Sequence, residues 1–411
     1  MADVGPVSEA PLRVAVISVG LPYPATGAST VVFNYYMKAL CAARYKIDHV
    51  VVAEADWSVE TEKAYRNDIG AAANFSLKRF SAVPVVSASR MALTEHPRLS
   101  KVRDYLKSLS PDAIVCFDIE CALIAAPIDA AKFAWIGDLH YQTAWYHFLY
   151  SVQESLKNAL STVWILRRIA LWKDIYRRSL SRFSDVIVCA HRSVADLSRL
   201  GLTTRFAPYP WPAAANHEDE LPKKPDKPSF IFFGKLGGLG SRSSFHFLLE
   251  RLYPKLVSIW GRGGFVIDIC GMQGLPDWVE RAITGKPEFR FLGFVANLDS
   301  QMRHYHAMVV PIDVPIGNRT RILTAQAGVL PVVAHESVAL GNPSLVDGDT
   351  CRLARGAGEF AAALRWSFEK PEEARRMAER GRKSWELEYS PAAAADVFVK
   401  AIQSHLVGQR A

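Results

Sequence analysis

Arg319 and Arg321 stand two residues apart in GNRTRI, ahead of a run of small residues, Ile322 to Ala327, that reads as a helix. Gly328 and the apolar run Val329 to Ala334 follow, and the run reads as a strand. Loop, helix start and strand in that order form an anion-binding unit. The free N–H groups of a helix start, with guanidinium groups beside them, suit a phosphate. A second pair of cations, Lys235 and Arg242, flanks a loop with glycines at 234, 237, 238 and 240. Such a loop lets backbone and charge approach a diphosphate closely; the bland alternative is a surface loop with solvated charges. In the first half of the chain, Asp138 and His140 lie in GDLH after an apolar run. A neutral imidazole there can accept or donate a hydrogen bond to a hydroxyl, and Asp138 can orient it or cap a turn. A structural histidine is the alternative. Asp118 and Glu120 follow another apolar run and are weaker candidates of the same kind.

These residues share one setting: each follows the end of a predicted strand. Leu12 to Val19 is a continuous β-branched run, as in a buried parallel strand, and it ends at Gly20 and a loop carrying Gly27, Ala28 and Ser29. A helix from about Thr30 to Arg44 and a strand at His49 to Ala53 complete a βαβ unit. A helix at Leu99 to Ser108, strands at Ala113 to Phe117, Lys132 to Ile136 and Val186 to Ala190, and a helix at Ser193 to Leu200 continue the alternation. Residues Ala213 to Ser229 are rich in proline and charge and read as a linker. The pattern then restarts: a strand at Phe230 to Phe233, a helix at Phe245 to Ile259, and strands at Val266 to Cys270, at Phe289 to Leu292 and within His304 to Pro311. Helical segments close the chain at Gly358 to Gly381 and Pro391 to Val407. Two α/β units joined by a linker place a cleft where the carboxyl ends of the strands face each other.

Composition limits the function classes. Half of the 411 residues are hydrophobic and 22% are charged, which is globular. The net charge of +8 fits an anionic ligand, an anionic membrane surface or nucleic acid. No nucleic-acid-binding motif accompanies it. GxGxxG, the P-loop GxxxxGK[ST] and the GxSxG elbow are all missing. No His/Cys/Asp/Glu cluster has metal-ligand spacing, so no structural metal is expected. The six cysteines are scattered through apolar runs and read as reduced core residues. The start, MADVGPVSEAP, lacks the features of a signal peptide, and no apolar run is long enough for a membrane span. A cytoplasmic protein is expected. Residues 151–182 form a basic helical segment with an apolar side that includes Leu156, Leu160, Val163 and Trp164. It reads either as a core-facing helix with a solvated basic face or as a peripheral contact with the inner face of the membrane.

The second half resembles the family 4 type of GT-B glycosyltransferases. The residues that carry the likeness are FIFFGKLGGLGSRSSFHFLLERLYPKL, VIDICG, FRFLGFVANLDSQMRHYHAMVVPI and GNRTRILTAQAGVLPVVAH, with SLVDGDT and EYSPAAAADVFVKAI after them. The first half is similar more loosely, at its first strand and glycine loop, PDAIV and RFSDVIVCAHRSVADLSRLG. The resemblance implies an α/β fold of two Rossmann-like domains facing a cleft: an acceptor domain over residues 1–212, a linker over 213–228, a nucleotide-sugar domain over 229–390, and a helix over 391–411 returning to the first domain. It implies retaining, metal-independent transfer of a sugar from a UDP- or GDP-linked donor to a saccharide, lipid-linked or other glycoconjugate acceptor, with no cofactor. His140, Lys235, Arg242 and Arg321 are then the expected catalytic residues. Expected at the substrates are Gly27, Ala28, Ser29, Asp138, Gly234, Gly271, Phe294, Val295, Asp313, Gly317, Asn318, Arg319, Thr320 and Thr324. The sequence departs from the family at one place. Of two glutamates eight positions apart, the later, which would hold the ribose hydroxyls, aligns with Thr324, and the earlier falls at Ile316, with Asp313 nearby as a partial substitute. A hydroxyl is a weaker acceptor than a carboxylate. Either the ribose is held differently, or the donor binds weakly, or the site has decayed. The competing reading is therefore a glycosyltransferase-like binding or scaffold protein without turnover. A sugar-nucleotide epimerase is a third, but it needs acidic residues in the nucleotide pocket that are not evident here.

Overall fold

The computed structural model describes residues 11–24, 27–53, 55–71, 73–81, 97–154, 160–214, 224–271 and 274–410. Strand β1 (Arg13–Ser18) is buried from Val14 onward because helices cover both faces of its sheet. Helix α1 (Ala28–Ala42) leads to β2 (Lys46–Val52), α2 (Val59–Asp68) to β3 (Phe75–Phe80), and α3 (Pro97–Leu109) to β4 (Ala113–Phe117). Then follow α4 (Ile119–Ala125), β5 (Ala131–Ile136), α5 (His140–Glu154), α6 (Thr162–Leu180), β6 (Asp185–Val188), α7 (His191–Ser198) and the short β7 (Arg205–Phe206). The sheet order is β3-β2-β1-β4-β5-β6-β7, and its pairings are parallel. Val14 sits opposite Ile47 on one side and Ala113 on the other.

A second parallel sheet begins with β8 (Ser229–Phe233), α8 (Leu239–His246), a π-helical turn (Phe247–Leu252) and α9 (Tyr253–Trp260). It continues through β9 (Val266–Cys270), α10 (Asp277–Ile283), β10 (Phe289–Gly293), α11 (Leu298–Met302) and β11 (Ala307–Val310). Helix α12 (Thr320–Ala327), β12 (Val332–His335) and β13 (Arg352–Ala354) complete it, in the order β10-β9-β8-β11-β12-β13. Helices α13 (Ala357–Glu369), α14 (Pro371–Glu388) and α15 (Pro391–Arg410) end the chain. In each sheet the strand order reverses beside the first strand, between β1 and β4 and between β8 and β11. Loops leaving the carboxyl ends of those strands part there and open a crevice.

Aromatic packing ties the chain's end to its beginning. Phe33 stacks on Phe117 at 4.5 Å, and Tyr36 meets Phe398 of α15 at 4.4 Å. Ile402 and Leu406 join the same buried cluster. Each half also lends side chains to the other. Leu323 and Ala327 of α12 pack in the first sheet's core, and Tyr150 of α5 packs in the second's. The six cysteines are unpaired, and five are buried. Among the described residues no helix is long and apolar enough to cross a membrane.

Three local expectations shift. The helix expected from Phe245 begins at Leu239, so Arg242 is helical rather than in the glycine loop. The serines that look like loop residues bond back into the helix: Ser243 Oγ and Ser244 Oγ donate to the Gly240 carbonyl. The strand expected from Val329 starts at Val332, because Val329 has φ of 55° and the Leu330 N–H returns to Ala325 O in a turn. The basic segment 151–182 belongs to two helices, α5 and α6. Leu156 and Lys157, the linker residues 215–223 and the acidic start 1–10 lie outside the described residues.

Phe398 is 1% exposed. Phe398→Ala is predicted to cost about 3 kcal/mol in urea unfolding; a loss under about 1 kcal/mol would contradict α15 being part of the first core.

Candidate functional site

On the second-domain side the wall is built from close backbone contacts. Gly234, just after β8, has φ of 132°, and a Cβ there would lie 2.8 Å from Arg321 Nη2. Gly271, just after β9, has φ of 139°, and its Cβ would lie 2.0 Å from the Gly234 carbonyl oxygen. Only glycine permits both the angle and the approach. These two glycines let Arg321, in the first turn of α12, reach over the end of β8. Its Nη2 donates to Ser241 Oγ at 2.8 Å, and the guanidinium sits 5.2 Å over the Phe232 ring. Arg319, the residue capping α12, donates from Nη2 to the Val314 carbonyl at 3.0 Å. Arg319 Nε and Arg321 Nη1 are buried without a hydrogen-bond partner. Among the described residues neither arginine has a carboxylate at ion-pair distance. Burial and the neighbouring Arg319 charge push Arg321 down to about 9. Burial also lowers Arg319, and Asp138 opposes it. Two desolvated cations side by side are destabilised unless an anion joins them. Lys235 is exposed on the loop after β8. Arg242 lies on α8, and its charge bears on His147 of α5.

On the first-domain side, Gly27 starts α1 at φ 87° with no side-chain cap, and Ala28 and Ser29 are exposed. Asp138 opens to the cleft after β5 and faces the second domain. A Cβ on Gly317 would lie 2.1 Å from Asp138 Oδ1, so Gly317 (φ 67°) is where the two halves meet. The cleft walls raise the Asp138 pKa, and Arg319 pulls against them. His140 is the first residue of α5. Its Nε2 is 2.9 Å from Glu120 Oε1, its ring meets Trp172 edge-on at 4.4 Å, and its backbone N–H donates to the Tyr176 hydroxyl at 3.3 Å.

The acids beside it are held back from ionising. Asp118 adopts φ of 76°, a strained value for a residue with a side chain, and its carboxylate accepts from the Ile119 N–H at 2.9 Å. Burial pushes Asp118 up to about 6. Burial and the Asp118 charge push Glu120 up to about 8. Burial and Arg168 push His140 down to about 4. Burial thus favours the uncharged forms of both partners in the Glu120–His140 contact. Both side chains open into a cavity of about 590 Å³ between α5 and α6.

Several expected site residues are engaged in packing or hydrogen bonds of their own. Phe294 stands exposed at the rim after β10, and Val295 packs against the second core. Asp313 accepts a 2.6 Å hydrogen bond from the Tyr150 hydroxyl. Asn318 Nδ2 donates to the Tyr389 hydroxyl at 2.9 Å, and its carbonyl accepts from Tyr209 at 3.1 Å. Thr324 Oγ1 accepts from Trp211 Nε1 at 2.9 Å and donates to the Thr320 carbonyl at 3.2 Å. Ile316 is buried. Sequence reading missed Tyr150, Ser241 and Trp211 and ranked Glu120 low. Its position just past the end of β4 was the one signal for Glu120.

Residues 227–370 match the family model described as glycosyl transferases group 1. The whole chain has the GT-B fold of several solved structures. Anabaena HepE, solved with UDP and glucose, superposes with a TM-score of 0.65 at 13% identity, covering 96% of this chain and 100% of that one. Sucrose-phosphate synthase from Thermosynechococcus elongatus gives 0.67 at 16%, covering 97% and 100%. TarM from S. aureus gives 0.67 at 10%, covering 95% and 98%. No curated protein matches the chain in sequence. In this GT-B chain the paired arginines lie within the matched segment, and Asp138 approaches Gly317 from the other half.

A carboxyl that titrates near 8 when folded and near 4.5 when unfolded stabilises the fold fully below pH 4.5, and that contribution is lost as pH rises through 8. Glu120→Gln keeps the shape and cannot ionise. Its melting temperature is predicted to gain on the parent protein as pH rises through this window. A difference independent of pH would contradict a protonated Glu120.

Proposed function

We propose that the protein is a retaining glycosyltransferase that moves a sugar from a nucleoside diphosphate donor to a hydroxyl of a glycan, lipid-linked or other glycoconjugate acceptor. The observation that carries this reading is the pair of desolvated guanidinium groups, Arg319 and Arg321, at the start of α12 in a GT-B cleft. Neither has a carboxylate at ion-pair distance among the described residues. As the bond from the sugar to the β-phosphate breaks, its electron pair stays on phosphate oxygen. Fixed cations stabilise that charge without reorganising, and Lys235 on the adjacent loop adds to them. No metal is needed for this step. The acceptor oxygen forms the new bond to the sugar carbon from the side of His140, whose imidazole positions the hydroxyl, and its proton passes to the departing β-phosphate oxygen. The complex of HepE with UDP and glucose supports a uridine donor for this chain, with a guanosine donor as the other choice. The reading places the protein in the cytoplasm, at the inner face of a membrane when the acceptor is lipid-linked.

A second reading is favoured by one observation. The hydroxyl of Thr324 is bonded to Trp211 and Thr320, and Ile316 is buried, so neither position offers a carboxylate to a ribose or sugar hydroxyl. A glycosyltransferase-like binding protein without turnover has the same cleft.

Transfer from a panel of uridine- and guanosine-diphosphate sugars separates the two, with the product anomer read by NMR. The proposal predicts turnover with retained configuration and a loss on the order of 100-fold in kcat/KM for Arg321→Ala. Donor binding without any transfer, unaltered by His140→Ala, would favour the binding protein.

A further inference from the structure

Four apolar side chains at the beginning of α6 face solvent. Leu160 is 90% exposed, Val163 79%, Trp164 60% and Leu166 52%. Such a cluster has no place on a face that meets only water. It borders the cavity described above, since Trp164 is at once on the surface and in the cavity wall. Phe148, Ile165 and Trp172 make that wall apolar, while Glu120 and His140 stand in it with Arg168. The Arg168 guanidinium lies 5.3 Å over the Trp164 ring, and its Nε is buried without a hydrogen-bond partner. No carboxylate pairs with Arg168 among the described residues. Arg167 and Lys173 are exposed on the same helix, and between Leu160 and Arg182 the sequence holds one acidic residue, Asp174.

Exposed aliphatic side chains, an interfacial tryptophan and excess positive charge together fit an anionic bilayer surface better than a protein partner. One cavity has Trp164 of that surface, Arg168 and His140 in its wall. We propose that the cavity between α5 and α6 is the acceptor site, that it takes the anionic head group of a membrane lipid or lipid-linked glycan, and that the start of α6 rests on the membrane that supplies it. Arg168 holds the anion, and the rings of Trp164 and Trp172 flank the apolar part of the molecule. This deepens the glycosyltransferase reading by choosing a lipid acceptor over a soluble saccharide, and rests on that reading for the transfer itself.

The test uses the full chain with vesicles of phosphatidylcholine alone and vesicles enriched in phosphatidylglycerol. The parent protein is expected to float with the anionic vesicles only, and added salt should weaken the attachment. The triple variant L160S/V163S/L166S changes exposed positions and is expected to lose at least tenfold in partitioning, with UDP binding unaltered. Arg168→Gln is expected to keep vesicle partitioning within twofold but to weaken binding of short-chain, monomeric phosphatidylglycerol about tenfold. Inorganic phosphate is expected not to compete. Equal flotation of parent and triple variant would overturn the proposal, as would an unaltered lipid affinity in Arg168→Gln or full competition by phosphate. A dimer in sedimentation that the triple variant abolishes, without vesicle binding, would assign the patch to a second copy of the chain and also overturn it. Loss of UDP binding in the parent protein would count against the glycosyltransferase reading alone, since the vesicle and lipid arms do not depend on it.

Discussion

Two guanidinium groups sharing a desolvated corner, with no carboxylate at ion-pair distance among the described residues, are the constraint around which the second domain is arranged. Arg319 and Arg321 each make a single side-chain hydrogen bond to a neutral partner, Val314 O and Ser241 Oγ. Burial, with the Arg319 charge added to it, lowers the pKa of Arg321. Holding them together costs stability in the empty protein, which an anion would restore. The surrounding sequence serves that placement. Gly234 leaves room for Arg321, Gly271 leaves room for Gly234, and Gly240 lets Arg319 Nη1 come within 3.1 Å of where a side chain would start.

The two halves are fitted to each other at the same place. Gly317 admits Asp138, Tyr150 bonds to Asp313, and Trp211 bonds to Thr324. The last of these gives the family departure a physical context. A carboxylate at position 324 would face the indole N–H of Trp211, whereas the threonine hydroxyl satisfies that donor and returns its own proton to the helix backbone. The position is part of the packing between Trp211, at the end of the first domain, and α12.

Much of the fold was legible because parallel strands announce themselves. Val14–Ile17, Ile114–Cys116, Phe230–Phe233 and Met308–Val310 are unbroken apolar segments, buried on both faces. The strand-end placement of Arg321, Asp138 and His140 was legible too, because each follows a strand whose carboxyl end borders a crevice in a doubly wound sheet. Less legible were contacts between residues far apart in sequence and unremarkable in type. Nothing local marks Tyr150 as the partner of Asp313, and the pairing of Glu120 with His140 needs the spatial adjacency of β4 and β5. The serines of α8 misled because their back-bonding into the helix cannot be read from composition.

The central claim is that the paired arginines hold a diphosphate. Titration calorimetry of UDP against uridine on the full chain addresses it without requiring turnover or an acceptor. The account predicts that UDP binds at least about 100-fold more tightly than uridine, a difference of about 2.7 kcal/mol carried by the phosphates. Equal affinity of nucleoside and diphosphate, or no binding of either, would contradict it.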